Sequence, residues 1–312
     1  MQTISLVIPC YNEEESIPLF FETVNRVFTT NFSAEKLTAE YVFIDDGSTD
    51  NSLAEMKQLH RKYPGMVHYR SFARNFGKES ALAAGLQAAT GDYVAVMDVD
   101  LQDPPELLPK MLELIQDQGY DCVGTIQRNR QGQSKLRAFL STSFYRVINR
   151  LSDVRIEPNA RDYRLMTRQF VDTVLSLPEF NRFSKGIFSW VGFKTTYLTY
   201  ESQPRVAGTT HWKLSQLFAY SLEGIIDFSD APLKLATWVG SLSFLLSLVG
   251  LVFVFVRALT VGGAAEGWPS LVVIILLVGG IQLFCLGILG QYISRVYRET
   301  KHRPQYVVRE EK

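Results

Sequence analysis

The chain has 312 residues, and its 32 Lys and Arg are balanced by 32 Asp and Glu to a formal net charge of zero. That balance excludes a global positive field for nucleic acid, so recognition of phosphate must come from local clusters. Cys10, Cys122 and Cys285 are far apart and lack metal-ligand spacing, which fits a reducing compartment and excludes a disulfide framework.

In chain order, short apolar runs alternate with helical patterns. "ISLVIP" (4–9), "YVFID" (41–45), "VHYRSF" (67–72) and "YVAVMD" (93–98) read as strands, with helices near 13–29, 49–62, 78–89 and 105–118 between them. The opening "MQTISLVIPCYNEEE" has no basic segment followed by a long apolar run, so no secretory signal is expected. Strands apolar on both faces and separated by helices predict an α/β domain with a mainly parallel sheet over residues 1–210. Ligands of such sheets bind at the carboxyl ends of strands. The polar segments "PCYNEE", "DDGSTD" and "DVDLQD" fall at those ends of the first, second and fourth strands.

The fourth helix carries its own start signal. Asp103 stands as a cap, Pro104 in the first helical position and Glu106 three residues after the cap, a capping-box arrangement that assigns Asp103 to structure.

Residues 211–234 form a juxtamembrane segment in which Leu214, Leu217, Phe218, Leu222 and Ile225 make one apolar helical stripe. It suits either the membrane interface or packing on the soluble domain. Two apolar spans follow, near 235–257 and 270–294, and within them Leu235–Val256 and Ser270–Ser294 carry no charge. At a rise of about 1.5 Å per residue, each can span a hydrocarbon core of roughly 30 Å. The short linker predicts a hairpin. Lys234, Arg295, Arg298, Lys301 and Arg303 outnumber Arg257 of the linker, which places the N-terminal domain, both termini and the tail 295–312 in the cytoplasm. Trp238, Trp268 and Tyr292 stand where interfacial anchors are expected.

The chemistry-bearing residues follow from this frame. Asp98 and Asp100 alternate at a strand end and therefore project to one face. Two close carboxylates repel unless a cation lies between them. Mg²⁺ or Mn²⁺ is the economical answer, with Gln102 as a neutral donor at the next alternate position and phosphate oxygens completing the shell.

In "IDDGSTD", Gly47 allows a turn and Asp50 or the hydroxyls cap the next helix. At least one of Asp45 and Asp46 is left for a base N–H or a ribose hydroxyl. Arg74, Asn75, Gly77 and Lys78 precede an Ala-rich helix, where glycine permits close approach of a phosphate or simply opens the helix. Arg128, Arg130, Lys135, Arg137, Arg205, His211 and Lys213 are basic, and solvated surface charge accounts for most of them. Arg137 and Ser141 share a helix face and can hold one phosphate. Asp162 lies between Arg161 and Arg164, where a local ion pair is its plain reading. No Ser-His-Asp or Cys-His signal stands out among the four histidines.

The ordered set "VIPCYNEE", "IDDGSTDNS", "RNFGKESAL", "GDYVAVMDVDLQDPPE", "VGTIQRNR", "RDYRLM" and "RVAGTTHWKL", followed by two spans and "LGQYISRVYRETKHRPQY", resembles the family 2 glycosyltransferases of the polyprenyl-phosphate type. It looks like the bactoprenol glucosyltransferases over essentially the whole chain. Over the soluble domain it is similar to dolichyl-phosphate mannose synthases.

The resemblance implies a GT-A fold (α/β, Rossmann-like, mainly parallel) followed by a two-helix transmembrane hairpin. It implies an inverting, Mg²⁺- or Mn²⁺-dependent transfer of sugar from a UDP-sugar to undecaprenyl phosphate at the cytoplasmic face of a bacterial plasma membrane. Glucose is the expected sugar, with N-acetylglucosamine, galactose, mannose from GDP-mannose or an amino-pentose as alternatives. Homo-oligomers occur in related proteins.

By the same likeness, Pro9, Tyr11, Glu13 and Asp45 or Asp46 hold the uridine, with Lys78 close to them. Asp98, Asp100 and Gln102 match the metal-binding segment, and Asp162 the essential acidic position. Arg128, Arg137, Ser141 and Arg205 match positions that bind the lipid phosphate or the diphosphate. His211 departs from the pattern, standing where the family commonly has lysine, so either His211 donates to phosphate or Lys213 takes over.

Two other readings compete. A processive polysaccharide synthase would carry a "QxxRW"-type segment and more spans, and neither is visible. A non-catalytic membrane scaffold is opposed by the presence of Asp98, Asp100, Gln102 and Asp162 together.

Overall fold

The computed structural model describes residues 2–33, 36–128, 149–150, 157–201, 229, 231–260 and 267–312. The first half alternates strand and helix: β1 (Gln2–Cys10), α1 (Ser16–Asn31), β2 (Leu37–Asp45), α2 (Ser52–Lys62), β3 (Val67–Phe72), α3 (Lys78–Ala88) and β4 (Tyr93–Val96). A short 3₁₀ turn (Pro105–Leu107) leads into α4 (Leu108–Gln118), followed by β5 (Cys122–Gln127). Then come β6 (Ala160–Thr167), α5 (Arg168–Ser176), α6 (Ser184–Trp190) and β7 (Thr195–Tyr200). Two long helices, α7 (Ala231–Thr260) and α8 (Trp268–Thr300), precede a last strand, β8 (Val308–Glu311).

The described strands form one sheet in the order β7-β5-β6-β4-β1-β2-β3-β8. The pairs β1–β2, β1–β4, β2–β3 and β5–β7 are parallel, and β4–β6, β5–β6 and β3–β8 antiparallel. The expected parallel core is present, and a mixed flank is added to it.

Alternation along β1 explains why the sheet needs helices on both faces. Ile4, Leu6 and Ile8 pack with Phe20 and Phe21 of α1, Met56 of α2 and Leu108 and Met111 of α4. Val7 turns the other way, toward Leu82 and Leu86 of α3 and Phe170 of α5. Burying each such side chain stabilises the fold by about 1.5–3 kcal/mol.

Two boundaries differ from expectation. The helix near 105 opens as a 3₁₀ turn whose cap, Pro104, offers no side-chain hydrogen bond, so the capping box does not form. Asp103 is buried and bonded elsewhere. The end of the tail is a strand: β8 pairs with β3, Lys57 meets Glu310 at 2.7 Å, and Arg70 meets Glu311 at 2.6 Å.

Helices α7 and α8 hold the two spans read as 235–257 and 270–294, and both run past them. They are long and apolar enough to cross a membrane, and none of the residues in their most apolar stretches is buried inside the protein. Leu242, Leu246, Phe253, Ile275, Leu283 and Ile293 are all exposed, which suits lipid rather than water. At about 1.5 Å per residue, α8 is roughly 50 Å long and outlasts a hydrocarbon core of about 30 Å. Its last turn reaches the sheet domain, where Glu299 Oε1 accepts from the Phe180 N–H at 2.9 Å. The stripe of Leu214, Leu217, Phe218, Leu222 and Ile225 predicted within 211–234 lies outside the described residues.

Candidate active site

The carboxyl ends of β1, β2 and β3 lie level, because Cys10 pairs with Asp45 and Asp45 with Ser71. Their loops lock together through side chains. The Asn12 N–H donates to Ser48 Oγ (3.0 Å), Thr49 N–H to Asn12 Oδ1 (2.8 Å) and Glu13 N–H to Ser52 Oγ (2.7 Å). Asp50 accepts from the Glu14 N–H at 3.2 Å and, at the start of α2, from the Ser52 N–H at 3.0 Å. Gly47, at φ +70°, crosses the loop after β3 so closely that a Cβ would stand 2.4 Å from the Arg74 carbonyl carbon.

Asp45 and Asp46 brace these loops. Asp45 accepts from the Ser48 N–H at 2.8 Å and from Ser71 Oγ at 2.6 Å. Asp46 accepts from the N–H groups of Phe76 (2.6 Å) and Gly77 (2.9 Å). Both are buried, which corrects the expectation that one is left facing the crevice. Burial raises the Asp46 pKa, against the lowering effect of the Phe76 and Gly77 bonds. Tyr11, exposed, and Pro9, half-buried, sit beside them on the rim. Glu13 Oε2 accepts from Ser16 Oγ at 2.7 Å at the entry to α1.

Among the described residues the densest charge lies past β4. Val96 pairs with Arg164 in the antiparallel β4–β6 ladder, which carries Asp98 toward Asp162. Lys78, the first residue of α3, bridges the two: its Nζ is 2.7 Å from Asp98 Oδ1 and 2.6 Å from Asp162 Oδ2. Lys78 is therefore placed against these two carboxylates, one residue on from Gly77, whose N–H bonds Asp46.

On the far side, Lys185 of α6 lies 4.0 Å from Asp162 Oδ1 and donates to the Ala160 carbonyl at 2.9 Å. Glu79 holds the start of α6 by accepting from the Ser184 N–H (3.0 Å) and hydroxyl. Burial opposes ionisation of Asp162, but Lys78 and Lys185 outweigh it and hold the carboxyl well below the usual range. Burial likewise opposes the Lys78 charge, and Asp162 and Asp98 more than offset it, raising its pKa.

The neighbours expected to pair with Asp162 point elsewhere. Arg161 reaches Asp103 (3.2 Å) and, more distantly, Asp98 (4.0 Å). Arg164 is buried, donates to the carbonyls of Asp162 (3.3 Å) and Arg161 (3.1 Å), and lies 4.0 Å over the Phe188 ring. Asp103 also accepts from the Tyr200 hydroxyl. Burial raises the Asp103 pKa, and the Arg161 charge works against that rise.

Asp100 and Gln102 lie in the turn after β4 rather than on the strand, with Leu101 at φ +55°. The alternation argument for one face does not apply there. Asp100 is buried, and its Oδ1 accepts from the Gln102 N–H at 3.2 Å.

Among the described residues no three His, Cys, Asp or Glu side chains converge as metal ligands. A cation held by Asp98 and Asp100 would draw its other ligands from phosphate oxygens and water. This is the habit of Mg²⁺ and Mn²⁺, and the all-oxygen donor set fits them. Arg128 is exposed at the end of β5, its N–H donating to the Tyr200 carbonyl at 2.9 Å. Arg137, Ser141, Arg205, His211 and Lys213 lie outside the described residues.

Lys185, Glu79, Asp103 and Tyr200 were not singled out for this cluster by sequence. Lys185 stands in no quoted motif, Glu79 lies in "RNFGKESAL" without a role assigned to it, and the local pattern around Asp103 pointed to a helix cap.

The chain that carries this acidic and basic cluster has close relatives. Residues 5–175 match glycosyl transferase family 2, and residues 231–296 match the GtrB C-terminal hairpin. A bactoprenol glucosyl transferase of Shigella phage SfV is 42% identical over 309 residues, covering 99% of each chain. The putative glycosyltransferase CsbB of Bacillus subtilis is 41% identical, over 98% of this chain and 91% of its own. An uncharacterized glycosyltransferase of Synechocystis is 40% identical, over 98% and 94%. The chain belongs to glycosyl transferase family 2. It is a glycosyltransferase of GT-A fold with a C-terminal hairpin of two apolar helices, and is membrane-associated.

Proposed function

We propose that the protein transfers glucose from UDP-glucose to undecaprenyl phosphate at the cytoplasmic face of a bacterial plasma membrane, with inversion at the sugar. The observation that carries this reading is the Asp98–Lys78–Asp162 cluster at the strand ends of a chain whose likeness to a bactoprenol glucosyl transferase extends through the hairpin. The pairing of β8 with β3 supports one side of the bilayer for tail and catalytic domain, and the basic residues around the hairpin support the cytoplasmic side.

The acceptor is a phosphate oxygen already ionised at neutral pH, so the chain needs no strong general base. That oxygen forms a bond to the sugar C1 as the bond from C1 to the diphosphate breaks, and UDP leaves with the electron pair. Mg²⁺ or Mn²⁺ held at Asp98, Asp100 and Gln102 would supply positive charge against the leaving diphosphate. Pro9, Tyr11, Glu13 and the loops braced by Asp45 and Asp46 form the uridine side of the crevice. Asp162, kept ionised, orients reacting groups and stabilises positive charge developing on the sugar ring. Arg128, Arg137, Ser141, Arg205 and His211 or Lys213 receive the lipid phosphate at the headgroup level.

The test uses purified full-length protein, undecaprenyl phosphate and a panel of radiolabelled nucleotide sugars with Mg²⁺ or Mn²⁺. Label should move into the lipid fraction from UDP-glucose above all others. Preferential transfer from another donor would replace glucose with that sugar, and absence of transfer from every donor would remove the catalytic reading.

A further inference from the structure

Among the described residues Lys78 is the cation closest to Asp98, at 2.7 Å, and it holds Asp162 at 2.6 Å with the same ammonium. The other basic groups divide their contacts: Arg161 approaches Asp98 only to 4.0 Å and is bonded to Asp103, while Lys185 meets Asp162 at 4.0 Å and a backbone carbonyl. As the first residue of α3, Lys78 stands where the helix dipole disfavours a cation. Its place is set by the two carboxylates. Its side chain is still 39% accessible, and the space that a Cβ on Gly77 would take has nothing within 4 Å. An anionic ligand can therefore approach the start of α3.

A divalent cation on Asp98 would stand beside an ammonium already on that carboxylate, and the two charges repel. A diphosphate resolves the conflict by receiving the ammonium. We propose that Lys78 is a resident counter-ion of Asp98 and Asp162 that yields Asp98 to the divalent cation only as it transfers to the nucleotide diphosphate, so metal and nucleotide bind as a coupled pair. This rests on the metal-dependent reading above and adds the coupling to it.

The test measures Mn²⁺ binding to the full-length protein in detergent by the electron paramagnetic resonance signal of free Mn²⁺, with and without UDP. The wild type should bind Mn²⁺ weakly alone and more tightly with UDP. Lys78→Met should bind Mn²⁺ alone about tenfold more tightly, and the enhancement by UDP should shrink by a similar factor. Lys78→Arg, which keeps the charge, should retain the wild-type pattern, and Lys185→Met should tighten Mn²⁺ binding far less than Lys78→Met.

Circular dichroism checks folding, and Lys78→Gln gives the same reading if the Met variant does not fold. Unchanged Mn²⁺ affinity in the charge-removing variants, an undiminished UDP enhancement, or equal tightening in Lys185→Met overturns the coupling. Absence of Mn²⁺ binding to the wild type even with UDP instead overturns the metal-dependent reading, and the coupling with it.

Discussion

The ring of Tyr306 lies nearly flat on that of Phe72, with centroids 4.8 Å apart and planes inclined by 16°. Phe72 ends β3 and is buried, so the contact fastens the chain leaving the last membrane helix to the catalytic core. Around it, the Gln305 amide donates to the Glu179 carbonyl at 2.5 Å and Ser80 Oγ to the Gln305 carbonyl at 3.3 Å. The second of these bonds reaches α3, the helix that carries Lys78. Tyr306→Ala should destabilise the catalytic domain by ~1–3 kcal/mol, through lost ring area and stacking. Thermal unfolding in detergent checks this, and the variant should still fractionate with membranes.

Asp162 contributes a pH dependence whose sign is fixed by its partners. Burial opposes its charge, but Lys78 and Lys185 outweigh that, so its pKa is lower in the folded chain than in the unfolded one. The stabilisation is therefore fully present above the unfolded value of about 3.9 and is lost as pH falls through the lower folded value. Asp162→Asn should give an unfolding midpoint that falls less steeply with acid below about pH 4. The same variant should lose roughly 100-fold or more in transfer rate at neutral pH, the scale of removing one well-placed stabilising group. Wild-type acid sensitivity in Asp162→Asn would separate the carboxylate from the ion pairs described.

Gly47 combines a φ of +70° with a backbone crossing in which an added Cβ would meet the Asn75 nitrogen at 2.7 Å. Gly47→Ala should cost ~1–3 kcal/mol in stability from the left-handed conformation and the displaced neighbour. Because the shift falls between the loops after β2 and β3, UDP affinity should weaken more than affinity for the lipid acceptor. Calorimetric titration with UDP and a separate acceptor-dependence assay distinguish the two effects.

Asp100 is buried in the turn after β4 and accepts from the Gln102 N–H, so its removal alters donor chemistry without opening the core. Asp100→Ala should abolish transfer while leaving the protein folded and membrane-bound. Chelation of divalent cations should have the same effect on the wild type, reversed by added Mg²⁺ or Mn²⁺. Transfer by the chelated enzyme at its full rate would exclude the metal from the reaction.

The parts of the fold visible in sequence were those set by local pattern. Apolar runs such as "ISLVIP" and "YVFID" marked strands buried on both faces, and long uncharged runs marked the hairpin. What stayed hidden depends on partners distant along the chain. Asp103 looks like a helix cap in its own segment, and only the Tyr200 hydroxyl, 97 positions away, and Arg161 show its bonding. Asp162 seemed matched to its adjacent arginines, but strand alternation and the register of β6 on β4 hand it to Lys78 and Lys185. Asp98 and Asp100 of "DVDLQD" were read as alternating at a strand end, yet the strand stops at Val96 and a turn re-aims them.

The pairing of β8 with β3 has a consequence for biogenesis. Lys57 and Glu310, joined by an ion pair, are 253 positions apart, and both membrane helices lie between them. During synthesis the catalytic sheet emerges with one margin of β3 open, and an open strand margin invites pairing with other chains. The margin is covered only when Val308–Glu311 follow the second membrane helix out of the ribosome. Completion of the sheet thus waits on completion of the hairpin, and a polypeptide truncated after α8 would leave the ribosome with an adhesive edge.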